Sequence, residues 1–342
     1  MLKIFPIAAV VVGLAGPLQA QTPFYQGKTI RLVVATSAGS AYDVYARLIA
    51  EYLDKHIPGN PEIQVQNMPG GGSMIGANFL YSVAKPDGLT IGSINPALYF
   101  NQIAGNKEVL FDWSKFVYLG SPDRSEDLLH IRADSPFKSI QDVRKAAEGP
   151  RCGATGTGST GHYLPTLLNE AIGTKFSVIL GYPGGPEIDL AMERNEVQCR
   201  AFTVAAWQAG RTFEAWRKRN FINVLVQSGQ KRDPRIPNVP TIFELMDEAK
   251  TPDGTRKLTS LVMTSNSFGR PYVVHPATPP ELVKILRDAF VKTVNDRGLL
   301  DEAKRKNIDI ELTSGDELAK LARSVMIADQ DVIERMKKLL AK

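Results

Sequence analysis

Two short stretches of this sequence carry the residue types that bind anions. Thr36-Ser37-Ala38-Gly39-Ser40 lies between an apolar run and a segment of helical period, and Thr155-Gly156-Thr157-Gly158-Ser159-Thr160 stands in the same relation further along. A loop of Gly, Ser and Thr that passes directly from a strand into a helix offers unpaired backbone N–H groups, hydroxyls and the positive end of the helix dipole. Such a place binds anions. Either loop alone is as readily a plain tight turn. Two of them at matching places let a carboxylate be gripped from both sides, provided the units that carry them face one another.

Other chemistries fail on context. Gly156-Thr157-Gly158-Ser159-Thr160-Gly161 spells GxGxxG, but the strand after it runs into Gly181-Tyr182-Pro183 and brings no acidic residue for a ribose, so a dinucleotide is not expected. No GxSxG nucleophile elbow occurs. Ser135-Pro136-Phe137-Lys138 matches SxxK without its companion motifs, and Ser139-Ile140-Gln141-Asp142 reads as a helix start. The four histidines, at 56, 130, 162 and 275, lack metal-ligand spacing. Only His162 adjoins a candidate loop, where it reads as a surface residue. The expectation is a binder and not an enzyme, with no catalytic residue, metal or cofactor. Tyr42, Tyr182 and Trp207 can line a space for a flat or apolar body, or pack in the core.

The loops need strands to end on. From Lys28 onward, β-branched runs alternate with helical segments, which predicts an α/β fold with largely parallel sheets. Ile30–Val34 is a strand, Asp43 caps a helix bearing Val44, Leu48, Ile49 and Leu53, Ile63–Val65 is a second strand, and Leu89–Ile94 a third that ends at Asn95-Pro96. The same order begins again at Arg151, with strands at Ser177–Leu180 and Gln198–Phe202 and helices at Tyr163–Ile172 and Glu187–Arg194. Two copies of one unit predict two similar lobes, and the extended segments 117–122 and 221–226 suit the crossings between them. Residues 21–122 with 232–342 form the first lobe and 123–231 the second, the helical tail packing back on the first. Cys152 and Cys199 each open a strand of the second unit; if those strands are neighbours, the two can be bridged.

At the N-terminus, Lys3 precedes an apolar run from Ile4 to Ala15, and Leu18-Gln19-Ala20 offers a small residue for cleavage. The run is shorter than the roughly 20 residues of a spanning helix, and Pro6 and Pro17 bracket it, so residues 1–20 read as a signal peptide. No cysteine follows the cut to take a lipid, and a soluble, periplasmic, monomeric protein is expected. About 320 residues then remain, enough for two domains. A formal net charge of +5, with Lys and Arg scattered among Asp and Glu, is no nucleic-acid signature.

The stretch from Ile30 to Arg47, with Ala35-Thr36-Ser37-Ala38-Gly39-Ser40-Ala41-Tyr42-Asp43, resembles the first loop of the substrate-binding proteins of tripartite tricarboxylate transporters, the Bug-type receptors. Further matches follow in order: Gln66-Asn67-Met68-Pro69-Gly70-Gly71-Gly72, Lys85-Pro86-Asp87-Gly88, Gly156-Thr157-Gly158-Ser159, Gly181-Tyr182-Pro183-Gly184-Gly185, Ile236-Pro237-Asn238-Val239-Pro240-Thr241 and Pro276-Ala277-Thr278-Pro279-Pro280-Glu281. Each string is weak; their order across nearly the whole chain is specific. The resemblance implies a two-lobed, hinge-closing binding protein of the periplasmic type II kind, each lobe a mostly parallel sheet flanked by helices, and permease subunits that receive the ligand. It implies ligand contacts at Thr36, Ser37, Ala38, Gly39, Ser40, Tyr42, Asp43, Ser93 and Asn95 from one lobe. From the other it implies Thr157, Gly158, Ser159, Thr160, Tyr182, Gly184 and Thr203. The first loop is more polar here than is usual in the family, Met68 replaces a common Arg, and Thr203 stands where an acidic residue is frequent, which makes the pocket less hostile to a second anionic group. The ligand expected is a mono- or dicarboxylate, aliphatic or aromatic. A sensor that presents its closed form to a signalling partner is the alternative to transport, and an exported hydrolase the more distant one.

Overall fold

The strand Thr29–Val34 (β1) buries Ile30, Leu32, Val33 and Val34, as a strand covered on both faces must. The structure, a computed structural model, describes residues 22–209 and 211–341; the expected signal peptide lies outside the described residues. β1 pairs in parallel with β2 (Glu62–Asn67) and β3 (Thr90–Ser93). After β4 (Val117–Ser121) the chain crosses to a second sheet built from β5 (Asp127–Arg132), β6 (Arg151–Gly153), β7 (Ser177–Ile179), β8 (Cys199–Thr203) and β9 (Ile222–Gln227), and returns for β10 (Tyr272–Val274) and β11 (Thr313–Ser314). The first sheet has the order β11-β4-β10-β3-β1-β2 and the second β7-β6-β8-β5-β9.

Both sheets are mixed. Their parallel parts, β2-β1-β3 and β7-β6-β8, are the repeating strand-and-helix units; β4, β5, β9, β10 and β11 join antiparallel. The antiparallel pairing follows from the crossings, because a chain that leaves one sheet at β4 and comes back at β10 returns in the opposite sense. β5 is a strand that periodicity does not single out: all six residues of DLLHIR are buried, so no alternation marks it.

Each parallel strand feeds a helix. α1 (Ala41–Leu53), α2 (Met74–Ser82) and α3 (Tyr99–Ile103) follow β1, β2 and β3. α4 (Ile140–Lys145) precedes β6, α5 (Thr160–Ile172) and α6 (Gly185–Glu193) follow β6 and β7, and α7 (Val204–Ala209) and α8 (Arg211–Lys218) follow β8. α9 (Ile242–Ala249) and α10 (Asp253–Met263) lie on the return. Of the tail helices α11 (Pro280–Val294), α12 (Arg297–Arg305), α13 (Gly315–Val325) and α14 (Gln330–Leu340), the first three pack against α1 and β4. α14 lies against α3, α5 and α10 through Val332, Met336 and Leu339, and so joins a core that runs from Val33 and Phe100 to Tyr163 and Leu168.

Cys152 and Cys199 are register partners on β6 and β8, with Cα atoms 4.3 Å apart, and form a disulfide. It ties together the strand that ends in the second loop and the strand that ends at Thr203. Among the described residues no helix is long and apolar enough to cross a membrane.

Candidate functional site

The first loop is braced from beneath. Gly39 takes the left-handed φ of +76° that turns the chain, and its amide donates to Asp43 Oδ2 at 2.8 Å. Ser40 caps α1 by accepting the Asp43 amide at 3.3 Å, while its hydroxyl and that of Thr36 lie 2.7 Å apart. Burial works to raise the Asp43 carboxyl, but donors from Arg47 Nε (3.0 Å), Gly39 and Asn67 Nδ2 (2.9 Å) outweigh it and hold that carboxyl below its usual range. Asp43 therefore spends its charge on the loop.

The second loop is fastened to the opposite sheet. Ser159 stands at the N-cap position of α5 but turns its hydroxyl back to donate to Gly156 O at 2.7 Å, Thr157 Oγ1 donates to Asn101 Oδ1 at 3.2 Å, and Asn95 Nδ2 donates to both Gly158 O and Gly72 O at 3.3 Å. A third contact joins the lobes where the Ser37 hydroxyl meets Glu187 in the first turn of α6.

Between the loops lies a cavity of about 110 Å³, lined by Thr36, Ser40, Ala41, Tyr42, Gly72, Ser73 and Asn95 from one sheet's loops and by Ala154, Thr155, Ser159, Thr160, Gly161, Gly184, Gly185 and Ile188 from the other's. Arg200, Ala201, Phe202, Thr203, Ala206 and Arg270 complete it. The first turns of α1, α5 and α6 all open onto it. By position the amides of Ala41, Tyr42, Thr160, Gly161 and Gly185 have no acceptor within their own helices, and each helix end carries about half a positive charge. The cavity is thus arranged to take an anion through backbone donors; most nearby hydroxyls already have partners.

Of the residues singled out in the sequence, Thr36, Ser40, Tyr42, Asn95, Ser159, Thr160, Gly184 and Thr203 line this cavity. Ser37, Gly39, Asp43, Thr157 and Gly158 hold the loops or join the lobes instead, Ala38 is exposed, and Ser93 is buried at the end of β3. Tyr182 packs half-buried beside a core that contains Trp207 among Leu128, Phe202 and Phe213. His162 is a correction: it is not on the surface but wholly buried, without a partner for either nitrogen among the described residues, and burial pushes it down to about 4. The third position of α5, in its first turn, is buried in a helix that α14 and α10 pack against.

Sequence reasoning missed the charged residues around the cavity. Arg270, 2% exposed, forms an ion pair with Asp123, donates from Nη2 to Thr203 Oγ1 at 2.8 Å and lies 4.3 Å from the centre of the Tyr45 ring. Arg200 pairs likewise with Asp189. Asp127, opposite Thr203 on β5, accepts from the Tyr163 hydroxyl at 2.6 Å, and burial pushes its carboxyl up to about 7. A signal for Arg270 exists: it stands alone before Pro271 and an apolar run, with no acidic residue one helical turn away.

Comparison with known proteins agrees with the architecture. The chain is 28% identical over 335 residues to a protein of Cupriavidus necator known as the UPF0065 protein in gbd 5'region, covering 96% of this chain and 94% of that one. Its fold matches the periplasmic binding protein BugD with a TM-score of 0.70 at 20% identity, covering 92% of this chain and 98% of BugD. It also matches MatC from Rhodopseudomonas palustris, solved with bound malate, with a TM-score of 0.69 at 18% identity over 92% of this chain and 99% of MatC. An R. palustris protein solved with adipate matches at 0.70 and 18% identity over 92% of this chain and 98% of that one. Residues 45–338 match the family described as the tripartite tricarboxylate transporter family receptor, a family of binding proteins and not of enzymes. With two α/β sheets whose loops meet at one cleft and this match over most of its length, the chain belongs to the tripartite tricarboxylate transporter receptor family.

Proposed function

We propose that the protein is a periplasmic receptor that captures a small organic carboxylate between its two lobes and delivers it to the permease subunits of a tripartite tricarboxylate-type transporter. The observation that carries this reading is the convergence of the first turns of α1, α5 and α6 on one cavity. A carboxylate buried there exchanges its water for several backbone donors, which is the condition for burying it at all. Malate in MatC and adipate in its relative support the ligand class. In this reading the signal peptide is removed after Ala20 and the mature chain works as a monomer. Residues 21–122 with 232–342 close on 123–231 when the ligand bridges them, shifting the population toward the closed form.

The test is a thermal-shift panel on the mature chain. Carboxylic acids raise the melting temperature by mass action, because the folded state alone binds them. Stabilisation by amines or sugars with none by any acid contradicts the reading.

A further inference from the structure

Asp127 is a buried carboxyl that the backbone grip on an anion leaves unused. It is 1% exposed, and its register partner across the sheet is Thr203, which lines the cavity. Directly opposed residues of an antiparallel pair put their side chains on the same face, about 5 Å apart at Cβ, so Asp127 lies one side chain behind the cavity wall. A chain of hydroxyls leads to it. Thr160, a lining residue, has its Oγ1 3.3 Å from the Tyr163 hydroxyl, and that hydroxyl is 2.6 Å from Asp127 Oδ2.

The groups around Asp127 leave its charge unmatched. From α5 it faces Thr160 and Tyr163, and on its own segment Glu126, whose carboxylate accepts from Ser228 Oγ at 2.9 Å and Asn266 Nδ2 at 2.7 Å. After β9 the Ser228 hydroxyl accepts the Asp127 amide at 2.7 Å, and before β10 stands Arg270, whose charge Asp123 already meets. Burial first and Glu126 next lift the Asp127 carboxyl to about 7, while burial holds the Tyr163 phenol well above its ordinary range and so neutral.

Hydroxyl hydrogens rotate to suit the charge beside them. When Asp127 is ionised, Tyr163 donates to it and Thr160 donates to Tyr163, so both hydrogens are drawn toward the carboxylate. When Asp127 is protonated the chain reverses: the carboxyl donates to Tyr163, Tyr163 donates to Thr160, and the Thr160 hydrogen turns to the cavity, where an anion accepts it. A negative charge in the cavity also opposes ionisation of the carboxyl behind the wall. We infer that Asp127 is a proton site linked to the cleft: capture of an anion draws one proton from solvent onto this carboxyl, and loss of that proton withdraws the Thr160 donor and favours release. This rests on the carboxylate-receptor reading and adds a regulation to it.

Calorimetric titration of the mature protein with malate, adipate and benzoate tests this between pH values of about 6.5 and 8.5, where the acids' own carboxyls are ionised. For an acid that binds, the expected affinity is at least about fivefold weaker at the top of that range than at the bottom. About half a proton is taken up per ligand near pH 7.5, read from the difference in heat between HEPES and Tris buffers. In Asp127→Asn, and in Tyr163→Phe, which breaks the chain and keeps the carboxyl, the fall is expected to be below about threefold. Binding by the unaltered protein with a smaller fall than expected, or with the same proton balance in both states, overturns the inference alone and needs no variant to fold. A larger fall than expected in either variant does the same. Absence of binding by all three acids overturns the carboxylate reading with it.

Discussion

The Ser37 hydroxyl donates to Glu187 Oε2 at 3.2 Å, a bond between residues 150 apart in sequence that joins the loop before α1 to the first turn of α6. It belongs to both lobes and is made only when they meet. Ser37→Ala is expected to weaken ligand affinity about threefold to tenfold, the net worth of one intramolecular hydrogen bond, and to leave the melting temperature of the free protein unchanged within about a degree. Calorimetry beside a melting curve checks both.

Gly156 meets the first lobe without a side chain. A Cβ there would lie 2.6 Å from Gly72 N and 2.7 Å from Gly71 C, both backbone atoms that cannot step aside. Gly156→Ala is therefore expected to hold the lobes apart and lower affinity at least tenfold with little change in secondary structure, read by titration and circular dichroism.

Asp127 and His162 act oppositely on stability over one pH range. Folded Asp127 keeps its proton up to about 7 against an ordinary 3.8, through burial first and the neighbouring Glu126 next, with the Tyr163 bond and Arg270 working the other way. Its contribution is present below about pH 4 and is lost as pH rises through 7. Folded His162 refuses a proton until about 4 against 6.5, so its contribution is present above 6.5 and is lost as pH falls toward 4; buried His130, also pushed down, adds to that loss. Each shift is worth on the order of 3 kcal/mol. Asp127→Asn, whose amide oxygen can still accept from Tyr163, is expected to melt higher than the unaltered protein at pH 8 and equal to it at pH 4.

The Cys152–Cys199 bridge closes a sequence separation of 47 inside a buried sheet. Replacing both cysteines by Ala is expected to lower unfolding free energy by about 2–4 kcal/mol, measured by urea denaturation.

Much of this site is legible from composition. The two Gly/Ser/Thr loops and the helices behind them follow from local turn and capping chemistry, which acts over a few residues, and both loops reach the cavity. The residues that escaped notice are those whose meaning is tertiary. Arg270 lies far in sequence from Asp123 and Thr203 and meets them only because β10 returns beside β4. β5 carries Asp127 in a run buried on both faces, where no period shows. His162 has a polar side chain at an apolar position, and no rule of spacing places it inside.

In the proposed receptor an acid sits against the amides of α1 and α5. Amide NMR of the uniformly labelled mature protein during titration with succinate tests it most directly. The largest shifts are predicted at Ala41, Tyr42, Thr160 and Gly161, whose amides open the two helices onto the cavity. Saturable shifts confined to residues remote from the cleft, with those four amides unmoved, would contradict the account.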